Sequence, residues 1–272
     1  MCLRWWLLAA VLVATGCKKE NPATPDASAP SAQKSVTVFH KATLPVGAKR
    51  QESSDLDMTV AMTVDGKKNE TSVKESVRHT DEVLAVNAEA ITKVRTTFDS
   101  VSGTQPSAIT GKTYVVEAKD GKIDVRDAQD KPAPANEAKE VEKHLKNLGK
   151  PDAISAALPA SGLTPGQKVD GVAKALSDQL RDTGESMAVK DVVVTFKEER
   201  GDEGVFDVAL KLVKDEGPMS MVIDVKGETW VSTKTGSTTK MTLTGPITMS
   251  GGNLVKTDGA GKMSMKMEAK VL

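Results

Sequence analysis

Apolar and polar residues alternate one for one along much of this chain. Leu56, Met58, Val60, Met62 and Val64 interleave with Asp57, Thr59, Ala61, Thr63 and Asp65, the period of a strand with one buried and one wet face. Asp65-Gly66 ends the run, and a second run follows through Val73 and Val77. Asp-Gly between alternating segments predicts a two-residue hairpin. Asp120-Gly121 repeats the device between 114–118 and 123–125, while 83–88 and 90–98 read as two further strands. In the C-terminal part the alternation is clearer. Val192, Val194 and Phe196 form one run, and Phe206, Val208, Leu210 and Leu212 the next, after a loop over 199–204. Met219, Met221, Ile223 and Val225, the residues around Trp230, then Met241, Leu243, Ile247 and Met249, and finally Met263, Met265, Met267, Ala269 and Val271 complete the series.

Between the two halves the period lengthens. Ala138, Val141, Leu145 and Leu148 lie at helical spacing between the Pro132–Pro134 region and Gly149, a start and a stop for one helix. Asp152 is placed to cap a short helix over 153–158, ended by Pro159, and Asp170 to cap a third through Leu176 and Leu180 toward Gly184. Long strand runs with a helical insert predict the α+β class, with one antiparallel sheet rather than a doubly wound parallel one. LPVG at 44–47 and LTPG at 163–166 each precede a strand-rich half. They mark either a faint internal repeat or two unrelated turns.

The first residues follow a different rule. MCLRWWLLAAVLVATG carries one charge at Arg4 and an apolar run of nine residues from Trp5 to Val13, well short of the roughly 20 that span a bilayer. This reads as a signal peptide over 1–16. Ala14-Thr15-Gly16-Cys17 resembles the cleavage box of bacterial lipoprotein leaders, although Ala14 stands where that family more often has Leu. The resemblance implies cleavage between Gly16 and Cys17, and conversion of Cys17 to an N-acylated S-diacylglyceryl cysteine. The thiol is the nucleophile for that chemistry. The alternative is an ordinary secretory leader with a chance cysteine. In the family an Asp after the lipidated Cys retains the protein in the inner membrane; Lys18 stands here, which implies an outer-membrane anchor facing the periplasm in a diderm organism. Residues 17–35, rich in Pro, Ala and Ser, read as a semi-extended tether of roughly 50 Å at roughly 3 Å per residue. The expected domain organisation is therefore a signal peptide, this tether, and a single β-rich domain over 36–272, with strands in 36–128, a helical insert over 134–183 and strands in 188–272.

Composition removes several function classes. Lys+Arg and Asp+Glu both number 37, so no basic surplus points to nucleic acid. Cleavage at Gly16 would take away Cys2, Trp5 and Trp6, leaving Cys17 as the single thiol and Trp230 as the single tryptophan. Neither an internal disulfide nor a multi-cysteine zinc site is then available. With 3 % aromatic residues, stacking platforms for sugars or bases are poorly supported. His40, His79 and His144 are far apart and in no metal-ligand spacing; each reads as structural, His79 at a strand end. Gly111-Lys112-Thr113 lacks the earlier glycine and the following helix of a phosphate loop. Asp124, Asp127 and Asp130 lack the Gly turn and closing Glu of a calcium loop and read as solvated. No catalytic constellation, metal site or cofactor is predicted.

The methionines stand out instead. Met58, Met62, Met219, Met221, Met241, Met249, Met263, Met265 and Met267 all fall on the apolar phase of strand runs. Flexible thioethers suit either a face that accommodates variable acyl chains or irregular space between sheet and helices. Met58, Met62, Met219, Met221, Met263, Met265 and Met267 are the candidate ligand face. The order of tether, strands and central helices resembles the lipoprotein-carrier group (LolA/LolB-like proteins). That resemblance implies a curved half-barrel packed around two to three central helices. The expected function is a non-enzymatic, membrane-anchored envelope lipoprotein binding a lipid or another hydrophobic envelope component. A structural lipoprotein recruiting another envelope protein is the alternative.

Overall fold

A computed structural model describes residues 35–64, 66–88, 90–181, 187–216, 219–251 and 257–272. The proposed signal peptide, the cleavage site at Gly16 and Cys17, and nearly all of the tether lie outside the described residues. Alternating runs become β1 (Lys49–Val64), β2 (Lys67–Val86), β3 (Ile91–Ser102), β4 (Thr113–Lys119) and β5 (Lys122–Asp127). Helices α1 (Ala135–Leu145), α2 (Ala153–Ala157) and α3 (Asp170–Arg181) follow. The chain then returns to strand in β6 (Ala188–Arg200), β7 (Glu203–Glu216), β8 (Met219–Ser232), β9 (Thr238–Gly251) and β10 (Thr257–Val271). All ten strands form one open antiparallel sheet in the order β5-β4-β3-β2-β1-β10-β9-β8-β7-β6. Two five-strand meanders are thus joined by the single non-sequential pairing, β1 with β10, in which Met58 faces Met263 and Leu56 faces Met265.

The hairpins follow from their turn residues. Asp120 and Gly121 both have positive φ, 52° and 74°, as a two-residue type I′ link requires. Val64 pairs with Lys67 across Asp65-Gly66. Arg200 pairs with Glu203, so the loop expected over 199–204 shrinks to Gly201-Asp202. No strand forms over 36–48; only Thr37 makes an isolated bridge, to Leu163. LPVG and LTPG dock alike. Gly47 N donates to Val83 O (2.8 Å) and Val83 N to Ala48 O (2.9 Å), while Gly166 N donates to Phe196 O (2.8 Å) and Phe196 N to Gln167 O (2.8 Å).

β2 departs from the sequence reading. The runs around Val73 and Val83 are one unbroken strand of 20 residues. Its inward positions between them are His79 and Asp81, so the apolar alternation vanishes although the backbone continues.

The three helices carry the chain from one sheet edge, β5, to the other, β6, across one face. They do not share a common centre. α1 contributes Val141 to a core with Val94, Phe98, Ile109, Tyr114, Val116 and Val125 from the β3–β5 side. Ile154 of α2, with Val172, Ala173 and Leu176 of α3, packs instead on Phe196, Phe206, Leu210, Ile223, Leu243 and Ile247 of β6–β9. Asp152 caps α2 by accepting from Ser155 N at 2.9 Å. No described helix is long and apolar enough to cross a membrane.

A diagonal of inward glycines crosses the second meander. Gly227 lies opposite Leu243, Gly245 opposite Met263, and Gly261 opposite Val60. A Cβ at these positions would run into the carbonyl oxygens of Thr242, Asp224 and Thr59 on the neighbouring strands. Missing side chains along this line let the backbones of adjacent strands approach closely on the inner face.

Candidate functional site

The inner face of the sheet, the one that carries both cores, holds every strand methionine. Alternation fixes this. Met58 and Met62 share a parity on β1, and Met263, Met265 and Met267 share the opposing one on β10. Met267 then faces Met241 on β9, and Met249 faces Met221 on β8. Only Met241 and Met263 are buried, at 5 % and 7 % exposure; the other seven are half-buried. Met263 therefore belongs to the core rather than to an accessible face. Its neighbour on β9 is Gly245. Met249, outside the candidate set, shares the half-buried face. Met58, Met221, Met249, Met265 and Met267 rest against the larger core, whereas Met62 and Met219 stand beyond both cores among the described residues.

Between the two cores the same inner face becomes polar. Arg50 and Glu52 on β1 lie directly across from Asp81 and His79 on β2, which lie across from Thr96 and Phe98 on β3. His79 is 7 % exposed and Asp81 5 %. His79 Nε2 lies 3.4 Å from Asp81 Oδ2 and 3.9 Å from Glu52 Oε2, and Glu52 also pairs with Arg50. Six buried side-chain polar atoms lack a hydrogen-bond partner among the described residues, and five are here: Arg50 Nε, both His79 ring nitrogens, Asp81 Oδ1 and Thr96 Oγ1. A buried polar atom left unsatisfied costs about 1–3 kcal/mol, so the concentration of such atoms in one patch singles it out.

The electrostatics favour positive charge there. Burial pulls the His79 pKa down, but the approach of Asp81 and the charge of Glu52 outweigh it and raise the pKa above 6.5. His144 of α1 behaves oppositely. Its ring and that of His79 flank Phe98, each with centroids 5.5 Å away. Burial, then repulsion from His79 and Lys143, pushes its pKa down to about 4. Sequence spacing could not reveal the cluster, because Glu52 and His79 meet only through the β1–β2 register.

The remaining sequence candidates have structural places. His40 is exposed and its backbone N–H donates to Thr233 O at 2.8 Å. Gly111 turns the chain with φ 75°, and Lys112 pairs with Glu137 at 2.9 Å. Asp127 Oδ1 accepts from the N–H groups of Gln129 and Lys131, both at 2.9 Å, while Asp124 holds Arg126 at 2.8 Å. The aspartate run is a braced turn. Asp170, Ala173, Lys174 and Ser177 of α3 with Val189, Asp191 and Val192 of β6 line a shallow open depression of about 320 Å³.

No protein-family model matches the chain, and no curated protein does. A solved structure described as lipid–protein interactions in lipovitellin aligns at 10 % identity and a TM-score of 0.44, over 83 % of this chain and 25 % of its own. This chain thus spans about a quarter of the lipovitellin chain. The COG4313 outer membrane channel from Pseudomonas putida F1 aligns at 9 % identity and a TM-score of 0.20, over 85 % of this chain and 97 % of its own. A DUF1329 family protein from Desulfovibrio piger ATCC 29098 aligns at 11 % identity and a TM-score of 0.15, over 80 % and 83 %. At these identities and scores the three carry no argument about this chain.

Proposed function

We propose that this chain is a non-enzymatic lipoprotein of the cell envelope whose methionine-lined sheet face holds a lipid acyl chain or another hydrophobic envelope component. One observation carries the reading: seven strand methionines share one face and are only half-buried, where a core would bury them and a solvated face would replace them. Such side chains adapt to ligands of varied shape. The anchor is the acylated Cys17, whose two or more chains at about 0.8 kcal/mol per buried CH2 hold a protein on a membrane without a spanning helix. Lys18 directs that anchor to the outer membrane in a diderm organism.

The test is extraction. A form beginning at residue 35, which retains every strand and helix described, is purified without detergent and its organic extract weighed by mass spectrometry. About one acyl lipid per folded chain is expected, with a marked loss in Met221→Glu/Met265→Glu. A folded chain free of lipid would overturn the proposal. Separately, Cys17→Ala releases the full chain from membranes, whereas retention would mean another anchor. The alternative, recruitment of a protein partner, is favoured by the β1–β2 hairpin, where residues 67–72 of β2 are exposed. Crosslinking in intact cells to one stoichiometric protein would support it.

A further inference from the structure

We propose that Glu52, His79 and Asp81 form a binding site for a divalent transition-metal ion of the zinc class. The three residues occupy adjacent inward positions on β1 and β2, so the strand ladder rather than a loop holds them. One ligand atom from each lies within 4.8 Å of the others, with His79 Nε2 at 3.4 Å from Asp81 Oδ2 and 3.9 Å from Glu52 Oε2. Metal–ligand bonds of about 2.0–2.2 Å at tetrahedral angles separate ligand atoms by about 3.3–3.6 Å. Closing onto an ion therefore asks only a small side-chain movement from Glu52, the most exposed of the three.

A second observation is independent of the cluster's composition. His79 Nδ1 and Asp81 Oδ1 are buried without a hydrogen-bond partner among the described residues, and His79 Nε2 has only the 3.4 Å approach of Asp81 Oδ2, on side chains more than nine-tenths buried. Buried polar atoms left unpaired in a native fold point to an ion or water between them. The imidazole nitrogen selects zinc-class ions over magnesium and calcium, which take oxygen ligands. Three protein ligands leave one coordination position for water or for a group from outside. Thr96, across the ladder from Asp81 and equally unpaired, supplies a hydroxyl beside the bound carboxylate. The ion would tie β1 to β2 at the polar gap between the two apolar cores.

The full chain, stripped with chelator and dialysed, is titrated with zinc chloride and its bound metal counted after gel filtration. One equivalent is expected that His79→Gln abolishes and that Asp81→Asn and Glu52→Gln each weaken at least about tenfold. His40→Gln and His144→Gln retain it. Zinc should also raise the thermal midpoint of the parent and not that of His79→Gln. Should His79→Gln fail to fold, cobalt loading of the parent decides: visible d–d bands of a four- or five-coordinate nitrogen–oxygen site, with no thiolate-to-cobalt band, are expected. No retained zinc, equal binding by His79→Gln, or a cobalt spectrum of a thiolate or fully hydrated ion would overturn the site.

Discussion

Tyr114 shows how one buried polar atom can be settled by a neighbour from another element. Its ring is fully buried in the smaller core, and its hydroxyl donates to Glu137 Oε2 at 2.5 Å. Lys112 holds the other carboxylate oxygen at 2.9 Å. Tyr114→Phe should lose about 1.5–3 kcal/mol in urea denaturation, the range for hydrogen bonds to a charged group. The pH dependence has a definite sign. The hydrogen bonds from Tyr114 and Lys112 hold the Glu137 pKa below its ordinary 4.5. The contribution of Glu137 is therefore complete above 4.5 and fades as pH falls through the folded value. Burial, then the hydrogen bond to Glu137, raises the Tyr114 pKa above 10.0; that contribution is complete below 10.0 and fades above it. Urea midpoints from about pH 3 to about pH 7 should fall less steeply on the acid side in Glu137→Gln than in the parent. An unchanged acid limb would remove Glu137 from this role. Residues of this kind divide in how far sequence shows them. The methionine parity was visible, because alternation alone places side chains on a face. Glu52, His79 and Asp81 were not, because two polar inward positions on β2 look like the end of a strand.

At the scale of the element, turn chemistry and helix caps are legible in part: Asp170, expected to cap α3, is instead its first residue. Asp120-Gly121 makes its hairpin and Asp152 makes its cap. What sequence could not show is how helices divide their loyalties: apolar stripes say that a helix is covered, not by which strands. Nor does an isolated glycine in a strand reveal its neighbour's carbonyl. Gly245 sits beside Pro246 in β9, an inner strand of the sheet, where both residues look misplaced by propensity. The close approach of Asp224 O explains Gly245. Gly245→Ala should destabilise the fold by about 1–3 kcal/mol through overpacking, measured by chemical denaturation. A neutral result would mean that the approach of Asp224 O does not require glycine at this position.

For the molecule as a whole, the antiparallel character and the helical insert were legible, whereas the β1–β10 pairing was not, since it joins residues near the two ends of the described chain. That pairing builds the proposed ligand face. It brings the methionines of β1 and β10 together and continues their face onto β8 and β9. The most direct test of the proposed ligand face is carbon-13 NMR of the methionine methyl groups, followed as a fatty acid is titrated into the form beginning at residue 35. Saturable shifts are expected for Met58, Met62, Met219, Met221, Met249, Met265 and Met267, and smaller ones for the buried Met241 and Met263. Methyl signals that stay fixed throughout the titration would contradict the assignment of this face to a hydrophobic ligand.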